Sequence, residues 1–116
     1  MASPADRALE HVAQRQARRR EFNDRLEVLD PSDETTLFRC ECGLIACAAV
    51  IKLTASEYAS VRSDPRQFAV LADHVLPDAE RVVASRRGWA IVEKFPGSGS
   101  EIATRDYAAL RYRVAR

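Results

Sequence analysis

The sequence predicts an α+β domain: a small, mainly antiparallel sheet with flanking helices, including a long N-terminal and a C-terminal helix, stapled by zinc. Three observations carry that prediction. Helix-forming composition occupies both ends, at residues 5–29 and 101–114. Short β-prone runs punctuated by Gly, Pro and Asp fill the middle. All three cysteines fall within eight residues, and a histidine follows at a predicted strand end. A chain of 116 residues, 47% hydrophobic and 30% charged, suits one globular domain with a modest core.

The first helix opens at Ser3-Pro4-Ala5-Asp6, with Ser3 as cap, Pro4 in the first turn and Asp6 at the positive end of the helix dipole. Leu9, Val12, Phe22, Leu26 and Leu29 form a stripe broken at Gln16 and Arg19. The second half, from Phe22, is expected to pack on the domain, and the first half to project or meet a second copy. Pro31 ends the helix, because the residue before a proline is driven out of the helical region.

Residues 35–42 alternate and read as a strand running into the cysteines. Residues 43–47 read as a turn and 48–53 as the return strand. Thr54-Ala-Ser-Glu57 is a capping box opening a helix over about 55–63, with Tyr58 and Val61 inward. Residues 67–71 read as a strand ending near His74. Residues 81–94 read as a hairpin bending at Gly88, with a helix over 78–87 as the competing reading. Residues 95–100 are a Gly/Ser/Pro break before the last helix, where Ile102, Tyr107, Leu110 and Val114 are available for one face. The organisation is thus a basic helix (1–30), a zinc-binding α+β core (31–96), and a break with a C-terminal helix (97–116).

The metal prediction rests on residue chemistry. An odd number of clustered cysteines argues against a disulfide framework. Thiolates suit zinc, and zinc takes four ligands in a tetrahedron. Cys40 and Cys42, two apart on a strand, share a face, and Gly43 allows a bend that returns Cys47 to them. His11 lies in the basic helix, whereas His74 lies where several elements meet, so His74 is the expected fourth ligand. Cys40, Cys42, Cys47 and His74 make a closed structural set. The alternative is three buried small residues capped by a histidine. A thiol or zinc redox sensor is compatible with the same set, since oxidation of thiolates ejects the metal.

Several segments together resemble a family of small, largely uncharacterised actinobacterial proteins. These are residues 21–25 (EFNDR), Phe38-Arg-Cys-Glu-Cys-Gly43 with Cys47, Leu53-Thr54 with Glu57-Tyr58 and Val61-Arg62, Phe68-Ala-Val70 with His74, and Val82-Val83 leading to Trp89–Lys94. The resemblance spans roughly residues 21–94 and includes the C-x-C-x4-C motif and later histidine, which favours His74 over His11. It implies no activity. An acidic, Pro-containing turn is frequent in that family between the second and third cysteines. Here the turn is Gly43-Leu-Ile-Ala46, an apolar knuckle suited to contact.

Charge and motifs narrow the function. The net charge is only +1, yet Arg15, Arg18, Arg19 and Arg20 cluster in the first helix and Arg105, Arg111, Arg113 and Arg116 in the tail. A nucleic-acid-binding role through Arg15, Arg18, Arg19 and Arg20 is therefore one expectation. Neither a phosphate-binding Gly-rich loop nor an H-E-x-x-H helix is present, and no small-molecule substrate is evident. Glu41 would be a base beside a metal-bound water only if it faced the metal, and strand alternation points it away. The chain is accordingly expected to be non-catalytic. A regulatory protein-interaction module is the leading expectation, with partner binding or self-association through the N-terminal helix. The N-terminus has no apolar signal region and no run spans a bilayer, so a cytoplasmic location without membrane association is expected.

Overall fold

The structure is a computed structural model that describes residues 3–29, 35–97 and 99–105, with side chains through residue 26 of the first segment. It is an α+β fold in the order α1 (Pro4–Leu29), β1 (Thr36–Arg39), β2 (Val50–Leu53), α2 (Ala55–Arg62), β3 (Gln67–Leu71), a 3-10 turn (Ala72–His74), β4 (Glu80–Ser85) and β5 (Trp89–Lys94). Residues 99–105 form a further helix, α3. The expected face residues Tyr107, Leu110 and Val114, and Arg111, Arg113 and Arg116, lie outside the described residues.

Both predicted caps are present. Asp6 N donates to Ser3 Oγ at 3.1 Å and Ser3 N to Asp6 Oδ2 at 3.3 Å. Thr54 and Glu57 form the full reciprocal box, and Tyr58 and Val61 are buried as expected. The competing helix over 78–87 does not form: β4 pairs with β5, and Gly88 takes φ +77 in the bend, a conformation that side-chain-bearing residues rarely adopt. The register shifts between Val82 and Ala84, placing a bulge at Val83 on the edge strand.

The strands form two antiparallel sheets rather than one. One is β1-β2, and the other has the order β3-β5-β4. The β1 ladder ends at Arg39; Cys40 N still donates to Ala49 O, next to β2, at 3.0 Å, and Glu41 N then donates across to Ala69 O of β3 at 2.8 Å. The larger sheet is covered on both faces. Ala69, Trp89 and Ile91 join Phe38, Ile51, Leu53, Tyr58 and Val61 in one apolar cluster. Phe38 and Tyr58 stack there with ring centres 4.6 Å apart. On the opposite face Phe68, Val70 and Val92 pack with Cys40, Cys42 and Ala103.

The first helix departs from its predicted packing. Its first half does not project: Ala13, Gln16, Ala17 and Arg20 are buried, whereas Phe22 is 45% exposed. Small side chains let α1 approach closely, and the polar ones are satisfied inside. Gln16 Nε2 donates to Glu80 Oε1 at 2.9 Å, and Lys94 Nζ donates to Gln16 Oε1 at 2.7 Å. Lys94 Nζ also lies 3.5 Å from Glu80 Oε1, and Leu76 N donates to Glu80 Oε2 at 3.2 Å. Burial lowers the Lys94 pKa, and Glu80 opposes that effect. Arg20 donates to Pro65 O at 2.6 Å and Ala103 O at 2.7 Å, and its guanidinium lies over Phe68. A buried polar group is costly only when its partners are missing, so Gln16, a break in the apolar stripe, and Arg20 are compatible with a packed helix.

Candidate metal centre

Two segments deliver the four predicted ligands to one point, the β1–β2 connection with three cysteines and the 3-10 turn with His74. Cys40 follows β1, Cys42 stands two residues on, Cys47 closes the turn after Leu44, and His74 ends the 3-10 turn after β3. Their donor atoms all lie within 4.8 Å of one another. His74 Nδ1 is 3.6 Å from Cys40 Sγ and 3.5 Å from Cys47 Sγ. Zinc–sulfur and zinc–nitrogen bonds at a tetrahedral angle imply an S···N separation of about 3.6 Å. The donor types and spacings therefore fit a metal ion held by three sulfurs and one nitrogen. His11, the alternative ligand, is exposed on α1 and is not among them.

Hydrogen bonds distinguish the sulfurs. Leu71 N donates to Cys40 Sγ at 3.2 Å, and Arg19 Nη1 to Cys42 Sγ at 3.5 Å. The Cys40 thiol donates to Cys42, which raises the Cys40 pKa and, by the same bond, holds Cys42 down at about 4; burial also pushes Cys40 up and opposes the shift at Cys42. A metal ion displaces such protons, since thiolates are its ligands.

The arginine cluster serves this turn. Arg15 Nε donates to Gly43 O at 2.7 Å, and Arg19 donates to Cys42 O, to Leu44 O at 2.7 Å and to Ile45 O at 3.3 Å. With Arg20 buried against Phe68, Arg15 and Arg19 half-buried and only Arg18 of the four exposed, the predicted nucleic-acid residues do not present one open cationic face. Sequence reading missed this role because the acceptors are carbonyls more than twenty residues away, which leave no mark on side-chain pattern.

Gly43 also differs from expectation. Its φ is not positive, so the bend does not demand glycine. What demands it is α1: a Cβ at Gly43 would lie 2.3 Å from Val12 Cγ1 and 3.3 Å from Leu76 Cδ1. Gly43→Ala is expected to destabilise the domain by about 1–3 kcal/mol through overpacking. Chemical denaturation checks this, and a loss under 0.5 kcal/mol on this order-of-magnitude scale would show that α1 yields freely.

Glu41 does not join the ligands. It is fully buried and accepts from Asn23 Nδ2 at 2.9 Å, Tyr58 Oη at 2.8 Å and Ala69 N at 3.0 Å. Tyr58 also lies 2.9 Å from Asp24, which pairs with Arg62 at 2.7 Å. Glu41 is thus tied into a buried polar network of α1, α2 and β3. Among the described residues, no helix is long and apolar enough to cross a membrane. No family model, curated protein or solved structure matches this chain.

Proposed function

We propose that this protein is a non-catalytic regulatory interaction domain of the cytoplasm, stapled by one structural zinc, that docks an acidic, apolar segment of a protein partner. The carrying observation is the outer face of the β1–β2 hairpin. Leu37 is 56% exposed and Val50 49%, and Ile45, in the turn that closes the same hairpin, is 80% exposed. Such apolar exposure on a small domain marks a contact surface. Arg39 and Lys52 share the outward positions with Leu37 and Val50, and no carboxylate stands among these four. Phe22 extends the face, with the Arg39 guanidinium 5.2 Å from its ring centre. Apolar side chains interleaved with two cations complement a segment carrying apolar and acidic residues. A zinc with four protein ligands keeps no position open for substrate, which supports a non-catalytic reading.

A photo-reactive residue at position 37, compared with one at exposed Arg86, tests this in cells of the source organism. The expected result is a crosslink from position 37 alone, to a partner segment rich in Asp or Glu and apolar residues. Arg39→Glu with Lys52→Glu should remove it while zinc content is unchanged. Crosslinks equal at both positions, or only to a second copy of this chain, would refute the proposed partner.

A further inference from the structure

The three sulfurs of the metal centre are chemically unequal, and the geometry points to Cys47 as a modification site. We infer that Cys47 is the thiolate through which peroxides and soft electrophiles reach the zinc centre and open it. This goes beyond the docking role but rests on the site holding zinc.

Access is the first argument. Cys40 is 1% exposed and Cys42 0%, whereas Cys47 is partly open to solvent beside exposed Ile45, Ala46 and Ala48. A reagent must touch sulfur to react with it. Sulfur basicity is the second. Cys40 Sγ accepts the Leu71 N–H and Cys42 Sγ accepts from the Arg19 guanidinium. Such bonds withdraw charge from a coordinated thiolate and damp its nucleophilicity, as outer partners tune a metal's ligands. Among the described residues, the side-chain contact of Cys47 Sγ in this cluster outside the cysteines is with His74, itself a ligand. Cys47 thus combines the best access with the least damping. Charge is the third argument. Three thiolates and Zn2+ sum to one negative charge, and the Arg19 cation sits at the Cys42 side.

The reaction balances with hydrogen peroxide as oxidant. The Cys47 thiolate attacks one peroxide oxygen, the O–O bond breaks, and Cys47 sulfenic acid and hydroxide form. A second thiolate of the set attacks the sulfenic sulfur, forming a disulfide and expelling a second hydroxide. Two thiolates thereby lose two electrons, peroxide gains them, and Zn2+ leaves because half of its ligands are gone. An alkylating electrophile stops at the first step, with Cys47 carrying the new S–C bond.

The test uses the full chain loaded with zinc, with stoichiometry read by native mass spectrometry before any reagent is added. Limiting N-ethylmaleimide is then followed by peptide mass spectrometry, with released zinc read by a chromogenic chelator. Cys47 should be labelled at least about 10-fold faster than Cys40 or Cys42, in step with zinc release. Peroxide should give a disulfide that includes Cys47. Cys47→His keeps a fourth ligand while removing the thiolate, and should retain zinc yet release it to peroxide at least about 10-fold more slowly. One zinc per chain with equal labelling of the three cysteines, or unchanged peroxide release from Cys47→His, would overturn the inference and leave the structural zinc standing. A chain that binds no zinc would overturn both. Should Cys47→His fail to hold zinc, the labelling order in the parent decides alone.

Discussion

Cys42→Ser and His74→Ala are each expected to abolish stoichiometric zinc binding and, with it, cooperative folding of the region around α1. The site ties together α1 through Arg19, the end of β1 through Cys40, and the end of β3 through His74. In isolated fingers the apparent contribution of structural zinc is on the order of 10 kcal/mol at neutral pH, comparable with the whole stability of a domain. A loss of well over about 5 kcal/mol is therefore expected from either variant, and chelation of the parent should reproduce it reversibly. Native mass spectrometry gives the metal, and thermal unfolding by circular dichroism gives the stability. Unfolding curves that overlay the parent's, with no metal in any sample, would return the cysteines to the role of packing residues.

The second large effect is expected at Glu41. Its carboxylate accepts from a side-chain amide, a phenol and a backbone N–H with no exposure to water. Glu41→Ala would remove the acceptor of the buried Ala69 N–H and of one Asn23 N–H, leave Tyr58 to Asp24, and alter the charge balance around Arg62. A cost of about 3–5 kcal/mol is expected, as for removal of one partner from a buried ionic network. Glu41→Gln keeps the shape but turns an amide toward donors, and should cost about 1–3 kcal/mol. Burial raises the carboxyl pKa, against Ala69 N, Asn23, Arg62 and Tyr58, which lower it. A carboxyl whose folded pKa lies above its unfolded value, about 4.3, favours folding most while protonated. The stability advantage of the parent over Glu41→Gln should therefore shrink as pH rises above about 4. Zinc content unchanged in both variants would separate this effect from the metal. A Glu41→Ala protein as stable as the parent would refute the network's importance.

The parts of this fold that could be read directly are those fixed by local chemistry. The Thr54–Glu57 box, the Ser3 cap and the Gly88 bend depend on neighbours in sequence, and so do strands with alternating side chains. The gathering of Cys40, Cys42, Cys47 and His74 was also legible, because a metal ion asks for soft or imidazole donors and the chain offers few. What was not legible depends on partners far away. Gln16 breaks an apolar stripe and Arg20 belongs to a charged run, yet their partners at Glu80 and Ala103 make them interior residues. Phe22 belongs to the stripe and is exposed. The division into two sheets, joined by the bond from Glu41 N to Ala69 O, is encoded by no local pattern. Gly43 shows the right residue expected for the wrong reason: a neighbour's approach, not a backbone angle, excludes a side chain.

The grip of α1 on the metal turn is made on main-chain oxygens, those of Cys42, Gly43, Leu44 and Ile45. Carbonyls are the same whatever residue carries them. Positions 44–46 are all exposed, so their side chains are under no obligation to the helix that holds them. Mutation can therefore rewrite the chemistry of this tip, acidic in one descendant and apolar in another, while the mount beneath it stays fixed. The architecture separates what must be inherited from what is open to selection, and a library randomised at these three positions would inherit the same fold.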